Sequence, residues 1–595
     1  MSPPPAPNPI RDSLIARADA LREGGAPAEA RDLYRLVLDR HPGHGPALAG
    51  LGRILLGLGQ PTAALESLGA AVAADPTRLD WLADLAVALA GARRPAEALS
   101  AAEGLPATAG ALGFRADRLE ELGRRDQAIA LLDDALRRHP DEAELHRRQG
   151  VLLRRAGRAA QAIAPWRALV ALRPGDAAAW SSLGAGLGES GLDEEAEKAL
   201  RRAVALAADE PDWTYNLAHF LIERDRLEDA LPLLDAAVAR APERAHYHTN
   251  LGVCRLGLGD IKGAIAAHRQ ALALDPDEPE ARYDLAWALL LAGAWEEGWA
   301  AHEARWRMGR FTGRRAAGPA PTDWPMPLWD GQPLGPGRTL LLHAEQGFGD
   351  SLMMSRLIIP ALARAGDAQG IIECPPSLVG LLAQSLGPAL GPAVRVVAQA
   401  ESPPAADAHL PLMSLPHRLG VDSETIPGPD RWLRAEPAPR PPSSPPRVGL
   451  VWAGDPGNRM DRLRSCPATA LRPLFDRVKD AGLDIAWTGL QLGPPAADLP
   501  DLPAALAPGG DFAATARVVA ALDLVIGVDT AVIHLAGGLG VETWVMLAYV
   551  PDYRWMMDRD DSPWYPSARL FRQSRRGDWR GVIAQVAAAL TKRFG

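Results

Sequence analysis

The chain has 595 residues, 47% of them apolar and 23% charged, and a formal net charge of −9. That length exceeds one ordinary core and predicts two to four domains. The acidic balance excludes bulk attraction to nucleic acid or an anionic membrane, while leaving room for a local basic patch. Three widely spaced cysteines, Cys254, Cys374 and Cys466, form neither a disulfide framework nor a zinc spacing. They favour a reducing compartment, so the expected location is cytoplasmic. The opening "MSPPPAPNPIRDSL" lacks an apolar leader core, and no uncharged apolar run is long enough to predict a membrane span.

The first half is periodic. Prolines end helical segments at Pro42, Pro76, Pro140, Pro174, Pro242 and Pro276, with gaps of 34, 64, 34, 68 and 34 residues. The longest gap is two periods, and the second is one period plus one shortened by four. "LG" recurs at Leu51-Gly52, Leu183-Gly184 and Leu251-Gly252. A small residue recurs later in each unit, at Ala64, Ala162, Ala196, Ala230 and Ala264. Small residues there let paired helices approach closely. The pattern resembles the tetratricopeptide repeat, with about nine units over residues 11–310. The resemblance implies a helical superhelix whose concave groove is lined by the sixth place of each unit. Here that place holds Asp84, Arg148, Ser182, Asn216, Asn250 and Asp284. Asn216 and Asn250 offer both a donor and an acceptor to an extended peptide. They resemble two rungs of the asparagine ladder of O-GlcNAc transferases. A solvated polar face of a scaffold is the competing reading.

A Pro/Gly-rich linker is expected over 311–337. Beyond it, strand-like and helical segments alternate, which predicts parallel sheets with helices on both sides. The second proline run, Ala438 to Arg447, divides this part into 338–437 and 447–595, two Rossmann-like halves with a cleft between them. Within "HAEQGFGDSLMM" (His343 to Met354), three readings compete for Gly347 to Asp350. A dinucleotide fingerprint would need a third glycine where Leu352 stands, with Glu373 as its ribose acid. A tight turn with Asp350 capping a helix near Ser351 is structural. Alternatively, glycines let a substrate approach, and Asp350 accepts a proton from an acceptor hydroxyl.

In "GVDTAVIHLAGGLG" (Gly527 to Gly540), Asp529 and Thr530 fall at a strand end, a helix begins near Ala531, and His534 lies one turn on. A helix start with a hydroxyl donor suits a phosphate, which His534 could also reach. The plainer reading has Asp529 as a cap and His534 packed in an interface. Arg459, Arg462 and Arg464 share one loop, either solvated or binding a phosphate. Tyr549, Tyr553, Trp555 and Trp564 either stack on a base or sugar or wedge their loop against the core.

"GFGDSLMM", "RSCP", "DLVIGVDTAVIHLAGGLG" and "WYPSARLFRQ" together resemble the glycosyltransferases that include the lipopolysaccharide heptosyltransferases, over residues 338–595. The resemblance implies an α/β GT-B fold, metal-independent and inverting. It gives the acceptor to the first half and the nucleotide sugar to the second. It lays the catalytic base on Asp350 and the donor-binding residues on Arg464, Asp529, Thr530 and His534. Ala531 replaces the family's glycine, narrowing the phosphate space and setting a heptose donor in question. Repeats followed by such a domain resemble bacterial flagellin glycosyltransferases. That implies O-glycosylation of Ser or Thr in flagellin held by the repeats, with a nonulosonic acid of the pseudaminic type from a CMP-activated donor and no further cofactor. Two alternatives stay open: a lipid-linked or polysaccharide acceptor, and a non-catalytic scaffold. A chain beginning near Gly337 is expected to fold by itself.

Overall fold

The computed structural model describes residues 8–308, 324–437, 445–457, 461–492, 499, 502–503, 506 and 511–595. Arg459, most of the second proline run and the first part of the linker therefore lie outside the described residues. The chain divides into two compact units, Met1–Arg224 and Asp225–Gly595.

Helical pairs fill residues 9–302. Their first helices begin at Pro9, Gly45, Leu79, Ala109, Ala143, Ala177, Pro211, Ala245 and Pro279, every 34 residues from Ala109 onward. The shortened period is the third, whose second helix, Pro95–Glu103, has only 9 residues. The recurring glycines are there because a partner side chain fills the space a Cβ would need. A Cβ on Gly52 would lie 2.4 Å from Leu68, on Gly150 2.5 Å from Trp166, and on Gly252 2.5 Å from His268. Ala64, Ala162, Ala196, Ala230 and Ala264 are fully buried at the same seams. Each pair turns through one left-handed residue. It is Gly at 25, 59, 123, 157, 191, 259 and 293, and Arg93 and Asp225 in the other two pairs. Glycine adopts that conformation without the Cβ penalty.

In the first unit, neighbouring repeats are stapled by polar pairs. Arg53 Nε donates to Asp84 at 2.6 Å, and Arg148 Nε to Asp117 at 3.1 Å. Asn216, on helix Pro211–Glu223, donates to Ser181 Oγ at 2.9 Å. In the second unit Asn250 holds the equivalent place on helix Ala245–Gly257, half-buried.

The second unit contains two parallel sheets. In the first, β1 (Thr339–His343), β2 (Gln369–Cys374), β3 (Val394–Ala398) and β4 (Ala408–Pro411) run in the order β3-β2-β1-β4. In the other, β5 (Arg447–Val451), β6 (Ala486–Gly489), β7 (Leu524–Val528), β8 (Thr543–Leu547) and β9 (Ala568–Arg572) run in the order β6-β5-β7-β8-β9. β1, β2, β4, β5, β7 and β8 are buried almost throughout, as parallel strands covered on both faces must be. Residues 324–337 of the linker are more structured than their composition predicts. Trp324 packs on Leu341 and Ile371, and Trp329 N–H donates to His409 O at 2.8 Å, so this segment covers one face and the edge of the first sheet. All three cysteines are buried free thiols, and burial pushes each up to about 12. No helix among the described residues is long and apolar enough to cross a membrane.

Candidate functional site

Ligands of open parallel sheets gather beyond the carboxyl ends of strands, where the strand order reverses. The first sheet reverses between β1 and β4, and the second between β5 and β7. The segments leaving β1, β5, β7 and β8 carry Asp350, Arg464, Asp529 with Thr530, and Asp552 with Arg554, respectively.

The turn after β1 is built for contact between helices. Helix Phe348–Met354 starts two residues before Asp350, with Gly347 at its N-cap, so Asp350 is not the cap. It sits in the first turn and reaches back, its Oδ2 accepting from Gly347 N–H at 3.0 Å. Gly349 faces the second half. A Cβ there would lie 2.7 Å from His534 Cδ2 and 3.7 Å from Ala531 Cα. Close approach of two helix starts, rather than access for a substrate, requires this glycine. The cleft expected between the halves is a packed contact at this point. Arg356 donates to Trp564 O at 2.8 Å, and Trp432 N–H to Gly538 O at 3.1 Å. Glu373 is fully buried, so it offers no accessible ribose acid.

Helix Ala531–Leu539 follows β7, with Thr530 rather than Asp529 at its N-cap. Thr530 Oγ1 is buried and has no hydrogen-bond partner. His534 is only 1% exposed, and its ring is committed internally. Its Nδ1 lies 2.7 Å from Tyr565 Oη, and its Nε2 3.2 Å from Asp529 Oδ1. Burial lowers the His534 pKa although the Asp529 bond opposes this. Burial alone would raise Asp529. The His534 bond and the charges of Arg554, His534 and Arg464 together outweigh it and hold the carboxyl well below its usual range. The two directions agree on a neutral imidazole donating Nε2–H to a carboxylate and accepting Tyr565 O–H at Nδ1. Both ring nitrogens of His534 thus have protein partners, and the ring braces Asp529. Arg464 folds over the end of β5, 3.3 Å from Asp461 and within 2.8 Å of where a Gly454 Cβ would be.

Arg554 was not singled out from the sequence, yet it ties the site together. Its Nη2 donates to Asp350 Oδ1 at 2.6 Å, and its Nε forms an ion pair with Asp552 Oδ1 at 3.1 Å. Burial raises the Asp552 pKa to about 7. Nearby, Glu345 takes two bonds from the fully buried Arg305 on one oxygen and leaves its Oε2 without a partner. Burial pushes Glu345 up to about 8. A sequence signal for Arg554 existed in the dense charge of residues 552–561, interleaved with aromatics that form part of the core. Three of those aromatics, Tyr553, Trp555 and Trp564, are core residues, while Tyr549 is half-buried.

The ninth repeat joins this site. Trp287 and Trp299 meet Tyr553 edge-on at 5.3 and 5.5 Å, and Trp295 stacks on Trp564 at 5.6 Å. Leu290, Leu291, Trp295 and Trp299 share one apolar cluster with Leu342, Leu352 and Trp555.

The helical part consists of tetratricopeptide repeats, and the part that follows is α/β. Tetratricopeptide repeat models match residues 12–44, 50–111, 115–177, 194–251 and 255–298. Over 507 residues the chain is 25% identical to Protein FlbA of Caulobacter vibrioides, which takes in 73% of this chain and 82% of that protein. Cellulose synthase operon protein C of Pseudomonas fluorescens is 33% identical over 146 residues, 22% of this chain and 11% of its own length. Among solved structures, MamA from Desulfovibrio magneticus RS-1 is 22% identical with a TM-score of 0.25, covering 28% of this chain and 92% of that one.

Proposed function

We propose that the chain is a protein O-glycosyltransferase of the GT-B type, working in the cytoplasm. Its donor is a nucleotide-activated sugar, a CMP-activated nonulosonic acid of the pseudaminic type, and its acceptor is a Ser or Thr of flagellin recruited by the repeats. The observation that carries this reading is the convergence of Asp350 with Asp529, Thr530 and Arg554 at the reversal points of both sheets. Tetratricopeptide repeats commonly bind proteins, which supports a protein acceptor, and the likeness to Protein FlbA over most of both chains supports a flagellar setting.

In this reading the acceptor hydroxyl attacks the anomeric carbon while Asp350 takes its proton. The bond from the anomeric carbon to the leaving phosphate oxygen breaks, and its electron pair departs with the phosphate. The start of helix Ala531–Leu539, the unpartnered Thr530 hydroxyl and Arg464 meet that charge. Asp529 and His534 hold the strand end that presents Thr530. Asn216 and Asn250 contribute to acceptor binding, each in its own unit.

The test is intact-mass analysis of flagellin produced with the wild-type chain and with Asp350→Asn. The wild type adds a sugar mass to flagellin. Asp350→Asn retains donor binding and loses about 10²-fold or more in turnover. Unmodified flagellin beside the wild-type chain would refute the reading.

A further inference from the structure

The geometry points to Arg554 as a positioning residue for Asp350, held in place by the ninth repeat; this rests on the transferase reading above. Helix Phe348–Met354 fixes one carboxylate oxygen of Asp350 through Gly347 N–H. The other oxygen is aimed by Arg554, which comes from the opposite half. Each carboxylate oxygen keeps a further lone pair, so Asp350 Oδ1 can face Arg554 and still accept from a hydroxyl.

Arg554 also keeps like charges apart. Asp552 and Asp529 face it from the loop after β8 and the end of β7, and Glu345 is close enough to Asp350 for their charges to repel. His534, Tyr565, Tyr553 and His302 complete the surroundings, with both histidines held neutral by burial. Arg305 already serves Glu345 and Arg464 acts on Asp529, so without the Arg554 guanidinium Asp350 would lose its own bonded cation and one of its two tethers.

No regular helix holds Arg554. It sits in the three-residue turn Tyr553–Trp555. One support of that turn is the second half itself, where Arg572 donates to Trp555 O at 2.7 Å. The other is the ninth repeat, through Trp287, Trp299 and His302 around Tyr553, and Trp295 on Trp564. The last repeat thus belongs to the machinery that aims the base as well as to the repeat array.

The test measures kcat and KM for transfer to the protein acceptor in the full chain. The variants are Arg554→Gln, Arg554→Lys and Trp287→Leu, each alone and with Asp350→Asn, and donor binding is followed by calorimetry. Arg554→Gln should lower kcat by about 10–100-fold with donor KM within about twofold. Arg554→Lys should recover part of the loss, and Trp287→Leu should give a smaller loss of the same kind. In the Asp350→Asn background none of the three should cost anything more, because a residue acting through Asp350 has nothing left to act on. Multiplying losses in the double variants, or an effect confined to KM, would overturn the inference while leaving the transferase reading intact. Should Arg554→Gln not fold, the lysine and Trp287→Leu variants decide the matter by the same criterion. Absence of transfer by the wild-type chain would remove both.

Discussion

The turns of early and late repeats are the same local structure in different surroundings. A Cβ on Gly59, Gly123, Gly157 or Gly191 would meet nothing within 4 Å. The last three turns are occupied. Asp225 and Glu228 of the seventh pair are gripped by Arg576, a Cβ on Gly259 would lie 3.1 Å from Tyr549, and one on Gly293 would lie 3.2 Å from Met556. Repeat identity therefore does not define a folding unit. The short-range code sets the helix pair, and what the turn touches decides which core it joins, so the compact units divide at Arg224 within the seventh pair.

The largest test of this contrast is truncation, which also tests the expectation that residues beyond Gly337 fold alone. Such a chain would lose Leu290, Leu291, Trp295 and Trp299 from the shared cluster. At about 1.5–3 kcal/mol per buried side chain, the loss is roughly 6–12 kcal/mol, the size of a domain's whole stability. A chain beginning at Gly337 should be unfolded by circular dichroism and proteolysis, and one beginning at Asp225 folded. Equal melting of the two would break the comparison.

Next is Arg305, the fully buried cation at the end of the ninth repeat. It bonds Glu303 and Glu345, and donates to Ser414 Oγ at 2.6 Å. Arg305→Met leaves the buried Glu345 carboxylate without its cation and should cost about 3–5 kcal/mol in denaturant unfolding. Arg148→Met, at a half-exposed staple of the early repeats, should cost about 1 kcal/mol or less. Similar costs would remove the distinction between the regions.

A third test uses pH. His268, in the eighth pair, fills the space beside Gly252, and burial lowers its pKa to about 4. Its unfolded value is near 6.5. The unfolded chain then binds more protons below pH 6.5, so stability is complete above that pH and falls as pH drops toward 4. About 3 kcal/mol is at stake. His268→Leu should flatten that part of the profile in pH-dependent urea melts. An unchanged slope would show that other groups govern it.

The repeats were legible because each glycine and alanine of the pattern reports a local close approach, and the period is recognisable even though its third unit is shortened. The alternation that implies parallel sheets was legible, with β1, β2, β5 and β7 visible as apolar runs bounded by turns. Asp350, Asp529 and Thr530 could be located because they follow strand ends. Arg554 could not, because its partner is 204 residues away and no periodicity links them. The partners of His534 were hidden for a related reason, since only the fold shows that Tyr565 and Asp529 take both its nitrogens. The four tryptophans at 287, 295, 299 and 306 were a visible signal that the ninth repeat meets a second core.

The smallest effect discriminates most finely. Alanine at a left-handed turn costs about 1–2 kcal/mol wherever it occurs, because its Cβ crowds the following carbonyl. Gly191→Ala should show that cost alone, since nothing lies near the new methyl. Gly293→Ala adds a methyl 3.2 Å from the Met556 terminal carbon, which a flexible methionine can yield at small cost. The two variants should therefore differ by only a few tenths of a kcal/mol in stability. Met556 is two residues from Arg554, however, so they should differ in turnover, with Gly293→Ala slowed about twofold or more and Gly191→Ala unchanged. Equal turnover in both, at matched stability, would confine the late turns to a structural role and detach the ninth repeat from the positioning of Asp350.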